Sequence, residues 1–224
     1  SNIIIKKKTP LKEVHKDHIL TEKDDKFTFK KLILTIPSEK LEKLEYFKDN
    51  EYIHSVKPIK LLRIYAKYPT KNLWFKDIKR TITDNYIRHV IPIDYDNGII
   101  MISYTDDKYS EFWEGYNKIS KNTLINALHK EIFDLFKIEP PKPKMISVDY
   151  WENGLHVWDV GYDINKIYKE ILKPSSDNVF ICGESYSKKQ GWIEGCLETC
   201  YDVIKLLPFN NIKISVKKEK VEEK

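Results

Sequence analysis

Residues 178–207 read NVFICGESYSKKQGWIEGCLETCYDVIKLL, and this stretch decides the predicted fold. The apolar run at 179–182 predicts a short buried strand, and Gly183 ends it where the backbone can approach another group closely. A polar loop follows, and Gly191 opens a predicted helix. A helix that starts in this way offers free N–H groups and a partial positive charge to a phosphate, a carboxylate or a carbonyl oxygen.

The predicted helix carries apolar residues at helical spacing, and we expect this face to pack against the core. The face consists of Ile193, Leu197, Cys200, Val203, Ile204 and Leu207. An ordinary βα connection in an α/β domain is the alternative interpretation of the whole stretch, because glycine is common at the edges of loops.

The two ends of the polar loop resemble the last flavin-binding motif of the flavin-dependent amine oxidases. The resemblance rests on Gly183-Glu184-Ser185 and on the run GWIEGC at residues 191–196. It implies that Glu184 hydrogen-bonds the ribityl–phosphate part of FAD, with Gly183 beside it.

The same resemblance assigns the start of the helix to the flavin ring. Gly191 would open the helix, and the backbone at Trp192 and Ile193 would direct an N–H group at the pyrimidine edge of the flavin. The helix dipole would then stabilise negative charge on the reduced ring. The Trp192 side chain would lie on the substrate side.

A second landmark of the family is an apolar strand with a lysine near its start and a later aromatic pair, similar to residues 57–66 and 73–75 here. The resemblance implies that Lys60 reaches flavin N5, usually through a water, where its charge favours oxygen reduction or deprotonation of the amine. A surface lysine on an edge strand is the alternative. Three other lysines lie close enough in the sequence to take the role: Lys57, Lys67 and Lys71.

Residues 145–151 predict a strand, and residues 152–161 predict a turn rich in aromatic residues. By its position in the family pattern, His156 or Trp158 would face Trp192, and two facing rings would orient a substrate amine. A packed turn with tryptophan in the core is the alternative. Monoamine oxidases tether FAD to a cysteine here, and this segment has none, so the flavin is expected to be noncovalent, with His156 as an alternative tether.

Residues 1–37 predict a small β-meander that feeds a nearly continuous apolar strand at 32–37. In the amine oxidases a segment of this form returns the chain to the FAD domain. Leu11 lies roughly where the family places an apolar contact with the adenine end of FAD, and an ordinary core residue is the alternative.

The predicted fold class is α/β with an α+β insert, corresponding to the C-terminal part of a two-domain FAD-binding amine oxidase fold. Residues 1–37 and 145–210 are expected on the cofactor side. Residues 38–144, which include a hairpin signal at Asn97-Gly98 and two helical stripes, are expected to form the substrate-binding domain. A charged tail is expected at 211–224.

The N-terminal half of the family pattern is missing from this sequence. Its seven glycines never form the Gly-x-Gly-x-x-Gly spacing of a dinucleotide-binding βαβ unit, which is therefore expected to be absent. Because a pyrophosphate needs that glycine turn, the chain alone is expected not to retain FAD. Either it is a fragment of a longer oxidase, or a partner subunit supplies the other half, or catalysis has been lost.

Composition excludes several other classes of protein. The net charge of +5 comes from scattered residues, 39 basic against 34 acidic, so no nucleic-acid surface is expected. No apolar run is long enough to span a membrane. The three cysteines have no CxxC spacing and no histidine at ligand spacing, which predicts free thiols, no metal site, and an intracellular, cytoplasmic location.

The expected function is that of an FAD-dependent amine oxidase. Hydride would pass from the α-carbon of an amine to flavin N5, the imine would hydrolyse, and oxygen would reoxidise the flavin with release of peroxide. Two alternatives stay open. One is a non-catalytic structural or interaction module that has kept the fold. The other is a different flavin oxidoreductase of the same superfamily, such as a desaturase or a protoporphyrinogen oxidase.

Overall fold

The computed structural model describes residues 3–176 and 178–207, so the predicted charged tail at 211–224 lies outside the described residues. The chain begins with three short antiparallel strands, which confirms the predicted meander. These strands and the next one are β1 (Leu11–Val14), β2 (His18–Thr21), β3 (Lys26–Thr28) and β4 (Leu32–Leu34).

A first core joins the two ends of the described chain. Strand β4 pairs in parallel with a strand far along the sequence, Leu32 lying opposite Val179 and Leu34 opposite Ile181. Both strands are short and apolar, as expected of a buried parallel pair. The further elements around this core are α1 (Ser38–Leu41), two 3₁₀ turns (Glu45–Phe47 and Ile53–Ser55), α4 (Ile164–Ile171), β10 (Val179–Ile181) and α5 (Ile193–Leu206).

A second core lies between a five-stranded antiparallel sheet and two helices. In spatial order the strands are β6 (Thr81–Ile82), β7 (His89–Asp94), β8 (Ile99–Asp106), β5 (Val56–Lys67) and β9 (Met145–Trp158). The helices are α2 (Asp107–Ile119) and α3 (Lys121–Phe136). Gly98, with φ of +67°, closes the β7–β8 hairpin and confirms the hairpin predicted from Asn97-Gly98.

The two faces of the sheet differ. On β5, Leu62 and Ile64 are buried against the helices. Leu61, Arg63 and Tyr65 alternate with them and are only half-buried, so they lie on the opposite face. We refer to this opposite side of β5 and its neighbours as the open face.

The turn predicted at 152–161 is wrong, because most of this segment belongs to strand β9. The strand continues unbroken for 14 residues, and only a register shift opposite Ile59 and Leu61 marks the region. A Cβ atom on Gly154 would lie 2.2 Å from the Cβ of Leu61. The glycine therefore permits a close strand crossing at a bulge and does not end the strand.

The buried face of helix α5 differs from the apolar face that the sequence predicted. Ile193 and Leu197 are 74% and 63% exposed, whereas the buried residues are Gly195, Thr199 and Val203. Thr199 explains the rotation, because its hydroxyl accepts a hydrogen bond from the N–H of residue 183 at 2.9 Å and donates to the carbonyl of the same residue at 3.0 Å. Small residues thus bring α5 onto the loop. Of the predicted face, Val203 and Leu207 are buried and Cys200 packs against the first core, whereas Ile193, Leu197 and Ile204 are exposed.

The long strands β5 and β9 connect the two cores, since their pairing runs from Val56 opposite Trp158 to Lys67 opposite Met145. Residues from Leu41 to Val56 pack into the first core, and β9 begins in the sheet. The predicted domain boundaries at 37/38 and 144/145 stay predictions. Within residues 3–176 and 178–207, no helix is both long enough and apolar enough to cross a membrane.

Candidate flavin and substrate site

The Glu184 side chain makes hydrogen bonds that hold the loop between β10 and α5. Its Oε1 accepts hydrogen bonds from the backbone N–H of His156 at 2.9 Å and of Gly191 at 2.7 Å. One carboxylate oxygen therefore ties the start of the loop, the end of the loop and strand β9 together. Carboxylates that accept from N–H groups make strong, charge-assisted hydrogen bonds, so this part of the loop is held in one shape.

His156 fills the space behind that loop. Its side chain is only 4% exposed, with Nδ1 2.8 Å from Glu184 Oε2 and Nε2 3.0 Å from Glu39 Oε2. The Ser185 hydroxyl lies 3.2 Å from the same Nδ1. An imidazole with a carboxylate at each nitrogen is best satisfied as the doubly protonated cation.

The pKa values in this cluster agree with an ion pair. Burial lowers the pKa of His156, but its hydrogen bonds with Glu184 and Glu39 outweigh burial and leave the pKa above its ordinary value. Burial raises the pKa of Glu184, but hydrogen bonds from the ring and backbone of His156 and from Gly191 leave it below its ordinary value. Glu184, His156 and Glu39 therefore form a charged cluster whose members pair with one another. We call this cluster the brace of the loop.

The end of β9 is joined to the loop by two further hydrogen bonds, and a third bond lies within the loop. The Gln190 side chain accepts a hydrogen bond from the backbone N–H of Trp158 at 2.9 Å and donates to the carbonyl of Ser185 at 2.6 Å. The indole N–H of Trp158 donates to the carbonyl of Ser187 at 3.1 Å. These bonds fix the loop against a strand that is itself part of the large sheet.

Helix α5 begins without a side-chain cap. Trp192 is the N-cap residue, and its side chain makes no capping hydrogen bond. Trp192 is 70% exposed, and Ile193 beside it is also exposed. A 14-residue helix with an uncapped, exposed start offers N–H groups and partial positive charge to an acceptor.

This loop fits the ring end of a flavin in part. The uncapped start of α5 suits a carbonyl oxygen that gains negative charge. Gly183 has φ of +131°, and a Cβ atom there would meet only the carbonyl of Thr35 at 3.9 Å, so its backbone is open to a close approach. Glu184 fits less well, because its protein donors use three of about four acceptor positions.

The predicted substrate rings are not brought together. The Trp158 ring lies 6.4 Å from that of Tyr186, and His156 is enclosed by carboxylates. Among the described residues no ring contact joins Trp192 to His156 or Trp158. In this structure the three side chains therefore do not form a facing pair.

Lys60 is engaged with two carboxylates on the sheet. Its Nζ is paired with Glu111 of α2 and lies 3.4 Å from Glu152 Oε1 of β9. The hydrogen bond to Glu111 raises the pKa of Lys60 above its ordinary value. Leu11 is half-buried in β1 and packs against the first core. The roles of Lys60 at flavin N5 and of Leu11 at adenine stay predictions.

Sequence reasoning missed two residues of the cluster. Glu39 is 117 positions before His156, and no local pattern links them. Gln190 reads as an ordinary polar loop residue before a glycine. Within the described part of the chain, no group of three potential metal ligands occurs, and all three cysteines are free, with Cys182 and Cys200 Sγ atoms 3.5 Å apart.

The sequence profile of the flavin-containing amine oxidoreductases matches residues 5–203. An uncharacterized protein of Acanthamoeba polyphaga mimivirus is 25% identical over 121 residues, which cover 46% of this chain and 24% of the viral protein. The chain thus spans about a quarter of the length of that relative.

A crystal structure from Exiguobacterium sp. 255-15, of a protein assigned provisionally as a protoporphyrinogen oxidase, superposes with a TM-score of 0.66 at 13% identity. The match covers 88% of this chain and 46% of that one. At this identity the likeness shows the fold alone, a mixed α/β fold that corresponds to about half of that flavin oxidase.

Proposed function

The chain belongs to the flavin-containing amine oxidoreductase family, and from this premise we propose that it forms the flavin-ring and substrate side of an FAD-dependent amine oxidase. Members of this family typically bind FAD. In this proposal the chain corresponds to the C-terminal part of the enzyme, and FAD is held noncovalently. The reaction is the oxidation of an amine to an imine, with oxygen giving peroxide.

The observation that carries the proposal is the unit formed by β10, the loop and α5. The loop is braced by Glu184 and His156, and the helix that follows starts at exposed residues without a side-chain cap. A flavin bound here supplies the hydride-accepting chemistry. The chain contributes a fixed positive helix terminus for an acceptor atom of the ring, and the exposed Trp192 side chain borders the adjoining surface.

The remaining site assignments belong to the same proposal. Lys60 acts at flavin N5, which requires its ammonium group to leave Glu111. His156 or Trp158 faces Trp192 across the substrate, which requires a rearrangement, since the three side chains do not form a facing pair in this structure and His156 is buried between carboxylates. Leu11 contacts the adenine end of FAD. Each assignment comes from the family resemblance and needs a test of its own.

The pyrophosphate site is proposed to lie on a separate dinucleotide-binding half, either in the same protein or in a partner subunit. Three observations support this. The sequence lacks the glycine-rich fingerprint, and the chain matches only 46% of the solved relative. In addition, α5 exposes a row of large apolar side chains beside the loop, as expected of a surface that another unit covers.

Two other functions each have one supporting observation. A different flavin oxidoreductase is supported by the fold match to a protein assigned as a protoporphyrinogen oxidase. A non-catalytic module is supported by Glu184, because most of its acceptor positions are already filled by the protein itself.

One experiment separates the three functions. The chain is produced together with a dinucleotide-binding half supplied in trans, and flavin retention, flavin reduction and peroxide release are measured with a panel of primary and secondary amines. Peroxide that depends on an amine supports the proposal. A retained flavin that amines never reduce favours a different oxidoreductase, and a pair that never retains flavin favours the non-catalytic module.

A further inference from the structure

The open face of the sheet carries a row of ionisable and aromatic side chains that the proposed function does not use. Arg63 lies at its centre, on the strand between β8 and β9. Tyr104 lies directly opposite it on β8, and Trp151 is diagonal to it on β9. Side chains in these positions project from the same face of an antiparallel sheet and are within reach of each other.

The Arg63 guanidinium is held between these two rings. Its Cζ lies 4.9 Å from the centre of the Tyr104 ring and 5.9 Å from that of Trp151. The ring of His89, on the next strand, continues the row 5.6 Å from Tyr104. Contacts of this kind stabilise the cation through its flat face and leave the N–H groups at its edge for hydrogen bonds.

This arginine lacks the carboxylate partner that a half-buried cation usually has. Burial lowers its pKa, but hydrogen bonds with the side chains of Tyr104 and Tyr65 outweigh burial and leave the pKa above its ordinary value. Its Nε is buried and makes no hydrogen bond, and among the described residues no ion pair joins it to a carboxylate. Asp149 lies directly across from Arg63 in the register of β5 and β9, and even so the two form no ion pair. A buried donor with no acceptor is uncommon and calls for an explanation.

We propose that Arg63 on the open face is a binding site for the carboxylate of an organic acid, flanked by Tyr104 and Trp151, and that the amine oxidised by this protein carries such a group. The second part rests on the proposed function. A guanidinium presents paired donors in the geometry of a carboxylate, and two rings beside it favour a ligand with an apolar or aromatic body.

The test uses the 224-residue chain without flavin. Phenylacetate is titrated while the Trp151 indole N–H signal is followed by NMR, with Trp151→Phe to assign the signal and uncharged phenylacetamide as the matched ligand. We expect phenylacetate to shift the signal saturably and phenylacetamide to do so about tenfold more weakly or not at all. Equal affinity for the two ligands in the wild-type chain overturns the proposal, whatever the variants do.

Arg63→Gln should reduce phenylacetate affinity about tenfold or more, whereas Arg88→Gln should leave it unchanged. Arg88 is a matched control because it also lies against a tyrosine ring, that of Tyr109, at 5.0 Å. Unchanged affinity in Arg63→Gln contradicts the site. So does an increase of about tenfold in Asp149→Asn, since Arg63 would then be paired internally. Because no flavin is present, failure here is independent of whether the chain acts as an amine oxidase.

Discussion

The carboxylate of Glu184 and the ring of His156 determine the local electrostatics of the loop. The ring is buried and the carboxylate is largely buried, with 21% of the Glu184 side chain exposed, and each has the other as its nearest opposite charge, 2.8 Å away. Removing one partner of such a pair leaves a buried charge without compensation, which costs more free energy than the pair itself contributes. The pair also couples the stability of the fold to pH.

The sign of that coupling follows from the two pKa shifts. The raised pKa of His156 contributes stability that is fully present below its ordinary value of 6.5 and is lost as the pH rises through the higher folded value. The lowered pKa of Glu184 contributes stability that is present above its ordinary value of 4.5 and is lost as the pH falls through the lower folded value.

His156→Gln should therefore destabilise the chain by about 1–3 kcal/mol near pH 6, and by less at an alkaline pH, since the contribution of the charged ring is lost as the pH rises through its raised pKa. Urea unfolding at both pH values measures the difference. His54→Gln is the control, because the His54 ring is 59% exposed and its nearest carboxylate oxygen is 3.6 Å away. Equal destabilisation at the two pH values would show that His156 acts through packing rather than charge.

Substitutions of Glu184 and Trp192 should impair different properties of the complete oxidase. Glu184→Ala releases the N–H groups of His156 and Gly191, so the loop loses its brace and FAD retention should weaken by about 1.5–3 kcal/mol. Trp192→Ala removes an exposed ring and no brace, so the flavin should stay while the apparent KM for the amine rises or kcat falls. FAD titration and steady-state kinetics measure both effects. Tight FAD binding by Glu184→Ala, together with loss of FAD by Trp192→Ala, would reverse the two assignments.

At the scale of elements, the contact between α5 and its loop depends on one residue without a side chain. A Cβ atom on Gly195 would lie 2.3 Å from both the carbonyl oxygen of Lys189 and the hydroxyl of Ser187. Backbone cannot move aside as a flexible side chain can. The helix can approach the loop this closely only because position 195 is glycine.

Gly195→Ala should destabilise the chain by about 1–3 kcal/mol and loosen the loop, because either the helix or the loop must shift to accommodate the methyl group. Gly115→Ala on α2 is the matched control, since nothing lies within 4 Å of its added Cβ, and there alanine should stabilise by about 0.5–1 kcal/mol. Thermal unfolding and amide exchange of residues 184–191 measure the two effects. Equal behaviour of the two variants would mean that α5 does not pack closely against the loop in solution.

The elements differ in how far the sequence alone could predict them. Turn chemistry is local, so Asn97-Gly98 was enough to predict the β7–β8 hairpin, and alternating residues were enough to predict the meander. The turn predicted around Gly154 was wrong, because a glycine can either end a strand or permit a bulge, depending on the residue that lies opposite. For α5, periodicity identified an apolar face but not which face meets the core, since that choice is made by Gly195 and Thr199.

The site was predictable only where the motif was contiguous. The positions of Gly183, Glu184 and Gly191 at the ends of one loop follow from the order of the residues. The pairing of His156 with Glu39 and the row around Arg63 depend on strand register and on long-range folding. One sequence carries no direct signal for contacts of that kind.

At the scale of the whole molecule, α5 presents apolar side chains to solvent in a row that follows the helical repeat. The row consists of Ile193, Leu197, Tyr201 and Ile204, each at least 40% exposed, with Trp192 at its start. A contiguous apolar surface of this kind marks an interaction site or a tendency to associate. It lies directly beside the loop that we propose to contact the flavin.

Leu197→Lys places a charge in the middle of this row, where no packing is lost because the side chain is already 63% exposed. The free energy of unfolding should change by no more than about 0.5 kcal/mol, whereas concentration-dependent self-association of the isolated chain should decrease. Sedimentation velocity over a range of concentrations, together with urea unfolding, measures the two effects. Ile119→Lys at the end of α2 is the control, since Ile119 is 71% exposed but lies outside the row, and it should alter neither quantity. If Leu197→Lys lowers stability by more than about 1 kcal/mol, the row is packed within the chain itself, and the surface proposed for the dinucleotide-binding half must lie elsewhere.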